Sequence, residues 1–157
     1  MIEIVEAHTD ELIVKAQELF REYAGSLDFD LSFQDFNAEL ENLSGQYSPP
    51  TGDLFLAVSG TQIAGCAGLR YFAEGICEMK RLYVRPTHRG NNAGRELAES
   101  VIRAGKRFGY ERMRIDTLPS METANRLYES LGFVEIEPYR YNPVAGARYL
   151  ELDLTQW

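Results

Sequence analysis

Between Ile76 and Thr117 the chain writes a strand, a glycine-containing loop, a long helix and a second strand in unbroken succession. Ile76 to Val84 reads as a strand that Pro86 stops, because proline has no N–H to continue a ladder. From about Asn92 to Phe108 the apolar positions Leu97, Ala98, Val101, Ile102 and Gly105 follow the helical period, and Gly109 ends the run. Arg112 to Thr117 returns to strand patterning. Upstream, Asp53 to Ser59 and Gln62 to Phe72 are strands joined by the turn signals Gly60-Thr61 and Glu74-Gly75, an antiparallel meander. A strand–helix–strand unit flanked by hairpins specifies a mixed sheet with helices on both faces.

The flanks complete an α/β order. Ile2 to Ala7 alternates as a strand, and Thr9 or Asp10 caps a helix with Leu12, Ile13, Ala16, Leu19, Phe20 and Tyr23 on one face, ended by Gly25. A second helix is expected from about Phe33 to Leu43, and a loop from Ser44 to Gly52. Met121 to Leu131 reads as a helix closed by Gly132 at its C-terminus. Phe133 to Ile136 and Arg148 to Leu154 form a last pair of strands. No linker divides the 157 residues, so one domain is expected.

Net charge is −8, which argues against a nucleic-acid partner. Its distribution is uneven. From Lys80 to Arg114 there are ten basic residues against three acidic ones, and the remainder of the chain is strongly acidic. A basic stretch in an acidic chain suits one anionic ligand. No apolar run approaches the ~18 residues of a membrane span, and no basic-then-apolar leader opens the sequence, which points to the cytoplasm or to a mature form. The two cysteines, Cys66 and Cys77, read as buried thiols rather than a disulfide. With two histidines and no Cys-x-x-Cys or His-x-x-x-His spacing, no metal site is expected.

The chemistry concentrates after Val84. A helix N-terminus behind a basic, glycine-containing loop offers free N–H groups and a positive dipole end to phosphate. The loop runs Arg89-Gly90-Asn91-Asn92-Ala93-Gly94-Arg95, and it is neither a Walker loop nor a dinucleotide turn.

Arg89 to Gly94 resembles the (Gln/Arg)-x-x-Gly-x-(Gly/Ala) pyrophosphate loop of the GCN5-related N-acetyltransferases. Leu127-Tyr128-Glu129-Ser130-Leu131-Gly132-Phe133 is similar to that family's Leu-Tyr-x-x-x-Gly-Phe, and Glu78 to Val84 resembles its central strand. The resemblance implies a mixed sheet splayed after the fourth strand, with the pantetheine arm of acetyl-CoA against Leu82, Tyr83 and Val84. It also implies a diphosphate on Arg89 to Gly94 and Tyr128 as the acid that protonates the departing thiolate. Asn92 stands where the motif has glycine; asparagine tolerates the left-handed backbone next best. Met121 stands where many relatives carry a CoA-contacting asparagine, with Ser120 beside it.

Direct attack on a thioester needs a neutral amine and a proton acceptor. Glu78, placed by alternation on the face of Lys80 and Leu82, is the first candidate, and Asp116 at the end of the next strand is the second. The acceptor region implied by the resemblance holds Tyr23, Asp28, Phe29, Asp30, Phe33 and Tyr47, with Arg70, Tyr139, Arg140, Tyr141 and Asn142. Acidic and aromatic groups suit an ammonium, so a small amino-acid-like or polyamine-like amine is the expected acceptor. A silent acyl-CoA-binding regulator, an interaction module and a protein N-acetyltransferase are the alternatives, and a homodimer stays open.

Overall fold

Strand text and turn glycines build one seven-stranded sheet in the order β1-β2-β3-β4-β5-β7-β6. The structure is a computed structural model, and it describes residues 1–27, 30–31 and 35–157. The strands are β1 (Ile2–Glu6), β2 (Asp53–Ser59), β3 (Gln62–Ala73), β4 (Ile76–Val84), β5 (Arg112–Thr117), β6 (Val134–Glu135) and β7 (Arg148–Asp153). Every neighbouring pair is antiparallel except β4 and β5, which run parallel across a helical connection. Gly60, Gly75 and Gly109 adopt the positive φ that the turns between these elements require.

The helices are α1 (Asp10–Gly25), α2 (Phe36–Glu41), α3 (Leu43–Gln46), α4 (Ala93–Arg107) and α5 (Glu122–Leu131). Thr9 caps α1, its side chain accepting from the Leu12 amide at 3.2 Å. Two buried clusters flank the sheet. In one, Leu97, Val101 and Ile102 of α4 and Tyr128 and Leu131 of α5 pack on Met79, Met113 and Leu150. In the other, Leu19 and Phe20 of α1 pack with Leu43 and Tyr47 against Leu54 and Leu56. Cys66 and Cys77 are buried free thiols, in keeping with the sequence. Among the described residues no helix is long and apolar enough to cross a membrane.

Two expectations are corrected. The second helix breaks at Asn42, whose backbone leaves the helical region (φ −136, ψ 47), and α3 then occupies the start of the segment read as a loop. Phe33, the expected beginning of that helix, lies outside the described residues. The other correction concerns β4. Cys66 faces Tyr83 and Gly68 faces Lys80, so Arg81 and Leu82 together oppose Ala67 in a β-bulge. Arg81 takes the left-handed conformation there (φ 60). The extra residue inverts the alternation beyond it. Leu82 therefore packs toward the α4 cluster, and Tyr83 packs on the α1 side with Glu78 and Lys80 behind the bulge. Glu78 and Leu82 do not share a face.

Candidate active site

The register between β4 and β5 ends at Glu78 opposite Arg114. Beyond Glu78 no further pairing of β4 with β5 is present among the described residues, and Leu82 to Val84 continue β4 without that neighbouring strand. The sheet opens at this point into a cleft of about 940 Å³. Leu82, Tyr83 and Val84 form one wall, Leu118, Met121, Ala124 and Leu127 the other, and the loop before α4 forms the mouth.

That loop is shaped by two left-handed residues, Gly90 (φ 89) and Asn92 (φ 71), so Asn92 takes the backbone conformation that favours glycine. Asn92 precedes α4 but makes no side-chain cap, which leaves the first-turn amides at Ala93, Gly94 and Arg95 without side-chain partners. Arg89 donates through Nε to the Val84 carbonyl at 3.0 Å, and Arg95 donates to Ser130 Oγ at 2.6 Å. Both side chains are thereby tethered to the cleft walls. A Cβ on Gly94 would meet only ordinary contacts with Val84 and Leu127, so glycine there leaves room in the wall rather than relieving a clash. Arg89, Gly90, Asn92, Ala93, Gly94 and Arg95 all line the cleft; Asn91 is exposed and does not border it. Ser120 and Met121 both line it as well.

The cleft shares Tyr23, Leu82, Leu118, Met121 and Ala124 with a small throat of about 50 Å³, which is also walled by Lys80, Asp116, Tyr128 and Asn142. Tyr128 is 6% exposed, its ring edge-on to Phe133 at 5.8 Å. Burial, with Tyr23 and Asp116 nearby, pushes its hydroxyl well above the ordinary phenol value. Lys80 Nζ lies 3.3 Å from Asp116 Oδ1, and an Arg140 guanidinium nitrogen lies 3.8 Å from the same oxygen. Burial pulls the Lys80 ammonium down to about 8 although Asp116 opposes it. Burial pushes the Asp116 carboxyl up, and Lys80 and Arg140 together pull it further down, below the usual carboxylate value.

Tyr128 and Asp116 therefore meet in the throat, while Glu78 borders neither the throat nor the cleft. Its two oxygens are occupied: Oε1 by Arg70 Nε at 3.2 Å, Oε2 by Arg140 at 2.7 Å with the Tyr139 hydroxyl donating at 3.4 Å. Of the expected acceptor residues, Tyr23 and Asn142 border the throat. Tyr47 is a core residue, donating to Glu39 Oε2 at 3.0 Å, and Tyr141 is 77% exposed. Asp28, Phe29 and Phe33 lie outside the described residues. The sequence assigns Lys80 no role; its signal is a lysine in the middle of a strand that is buried from Cys77 to Arg81.

Residues 13–133 match the model of the acetyltransferase (GNAT) family. An uncharacterized N-acetyltransferase of Schizosaccharomyces pombe is 40% identical over 141 residues, covering 88% of this chain and 86% of its own. Among solved structures, an acetyltransferase of the GNAT family from Staphylococcus aureus superposes with a TM-score of 0.78 at 23% identity, covering 98% of this chain and 99% of its own. YncA of Salmonella typhimurium, solved with acetyl-CoA, gives 0.71 at 19% identity, covering 98% of this chain and 94% of its own. These two likenesses speak to the fold; the family model and the yeast relative speak to the lineage. The chain belongs to the GNAT family of acetyl-CoA-dependent acetyltransferases.

Proposed function

We propose that this protein moves the acetyl group of acetyl-CoA to the amine of a small molecule by direct attack, with Tyr128 as the acid and Asp116 beside Lys80 receiving the amine proton. The observation that carries this reading is the throat: a phenol, a carboxylate and an ammonium line one small cavity that shares Tyr23, Leu82, Leu118, Met121 and Ala124 with the cleft at the N-terminus of α4. The residues fit the cosubstrate. Uncapped amides at Ala93 to Arg95 suit the diphosphate, and the stretch of β4 beyond the end of its pairing with β5 suits the two amides of a pantetheine arm. The thioester then reaches the throat.

The neutral amine attacks the carbonyl carbon, and the tetrahedral adduct collapses as the C–S bond breaks. The thiolate takes the Tyr128 proton, and the proton lost from nitrogen passes to the Lys80–Asp116 pair. Glu78 is the less suitable acceptor for that proton, because both of its oxygens already face guanidinium groups. A throat of about 50 Å³ favours a slender amine over a folded protein surface. The test is a thiol-release assay with acetyl-CoA across polyamines, amino acids and peptides with free N-termini. Release with one of the small amines is expected. Release with peptides alone would overturn the acceptor class, and acetyl-CoA binding with no release from any amine would reduce the protein to a binder.

A further inference from the structure

The end of the sheet remote from the cleft carries a second set of chemical groups. Glu6 closes β1, Asp53 opens β2, and the antiparallel register of the two strands brings these ends together, with His8 just beyond. One donor atom from each of the three residues lies within 4.8 Å of the other two. His8 Nε2 is 2.8 Å from Asp53 Oδ1, and His8 Nδ1 is 3.8 Å from Glu6 Oε2. Asp53 is fully buried; its Oδ1 also accepts from the Leu54 amide at 2.9 Å, whereas its Oδ2 is buried with no hydrogen-bond partner. A bare carboxylate oxygen shut away from water is costly unless a donor or a cation meets it.

We infer that Glu6, His8 and Asp53 form a site for a divalent transition metal of the zinc type. One imidazole and two carboxylates are a donor set such an ion accepts, with water completing the shell. An ion seated between His8 Nε2 and the Asp53 carboxylate takes the place of the proton in their 2.8 Å contact, with the Glu6 carboxylate alongside. Bonds of about 2.0–2.1 Å put neighbouring ligand atoms roughly 3.3 Å apart, and the three donor atoms already lie within 4.8 Å of one another. Arg107 lies 3.8 Å from Glu6 Oε1, and Oε2 remains on offer to the ion. The Glu6 and His8 side chains are about half exposed (46% and 44%), which gives the ion a path from solvent. The site owes nothing to the acyl-CoA cleft. Arg107 ends α4 and Ala93 begins it, and its 15 residues separate the two ends by ~22 Å. Sequence spacing did not reveal it, because the donors come from two strands and a turn that only the register joins.

The test uses the full chain freed of metal by chelation, titrated with zinc chloride and, separately, magnesium chloride. One equivalent of zinc is expected to bind, and His8→Ala or Glu6→Gln to weaken it by roughly tenfold or more. The chain has two histidines, His8 and His88, so imidazole nitrogen spectra read the site directly: zinc is expected to move the His8 ring and leave His88 in place. Absence of zinc binding, equal affinity in His8→Ala, magnesium binding as tightly as zinc, or a shift confined to His88 would each overturn the assignment.

Discussion

Tyr128 shows how one side chain is prepared by its surroundings. A phenol kept above its ordinary value by burial is protonated at any working pH. In the proposed reaction, donation from it to a solvated thiolate would be uphill, and desolvation of the leaving sulfur in the same throat is what would make it feasible. The hydroxyl makes no hydrogen bond within the described residues, so nothing inside the fold competes for its proton. Tyr128→Phe is therefore expected to lower turnover by about 10² or more. Acetyl-CoA affinity and melting temperature should hold, since the ring and its contact with Phe133 remain. Steady-state kinetics beside a thermal scan separates the possibilities: normal turnover with a lower melting temperature would make Tyr128 a packing residue and return the proton to water.

The elements were largely legible in the sequence because their boundaries are written in local chemistry. The β4 and β5 bounds came out as expected, since Pro86, Gly75 and Gly109 act on their own neighbours. The bulge was not legible. Nothing local marks Arg81 as left-handed, a conformation that costs a non-glycine residue roughly 1–2 kcal/mol. It is held from a distance: Glu39 of α2 takes the Arg81 guanidinium through two hydrogen bonds of 2.9 Å, and the Phe36 ring lies 5.3 Å from it. Pairing alternation alone therefore misassigned the face of Leu82. In the same way motif and strand position single out Tyr128 and Asp116, which line one cavity, but the clamp on Glu78 depends on Arg70 and Arg140 from other elements. Glu39 is 1% exposed and also meets Arg70 and the Tyr47 hydroxyl. Glu39→Ala strips a buried guanidinium of that carboxylate and is expected to cost about 3–5 kcal/mol, read as a lower urea midpoint. A loss below ~1 kcal/mol, the range of an exposed pair, would mean that α2 is not what holds the bulge.

Across the whole molecule the basic stretch is less free than its charge count suggests, because Lys80 and Arg81 are buried against Asp116 and Glu39. Those pairs tie the splayed centre of the sheet to its stability at each pH. Lys80 is lowered from 10.5 to about 8 in the folded chain. Between these values the unfolded chain binds more protons than the native one, so the Lys80 contribution rises with pH through that window. Cys66 and Cys77 act oppositely: burial holds their thiols above the ordinary 9, so native stability falls as the unfolded thiols ionise. Tyr47, Tyr128 and Tyr139, raised by burial, do the same above 10. Wild-type stability alone cannot separate these opposed trends, but comparison with Lys80→Met can, since the thiols and phenols are common to both. Asp116 is perturbed by that change, yet it titrates far below the window and adds a constant offset. The unfolding free energy of the wild type relative to Lys80→Met is expected to grow by roughly 2–3 kcal/mol from pH 8 to pH 10.5, measured by urea denaturation at several pH values. A difference that stays flat would mean that Asp116 keeps Lys80 fully charged in the native state, and the proton leaving the amine would then have to be taken by Asp116 alone.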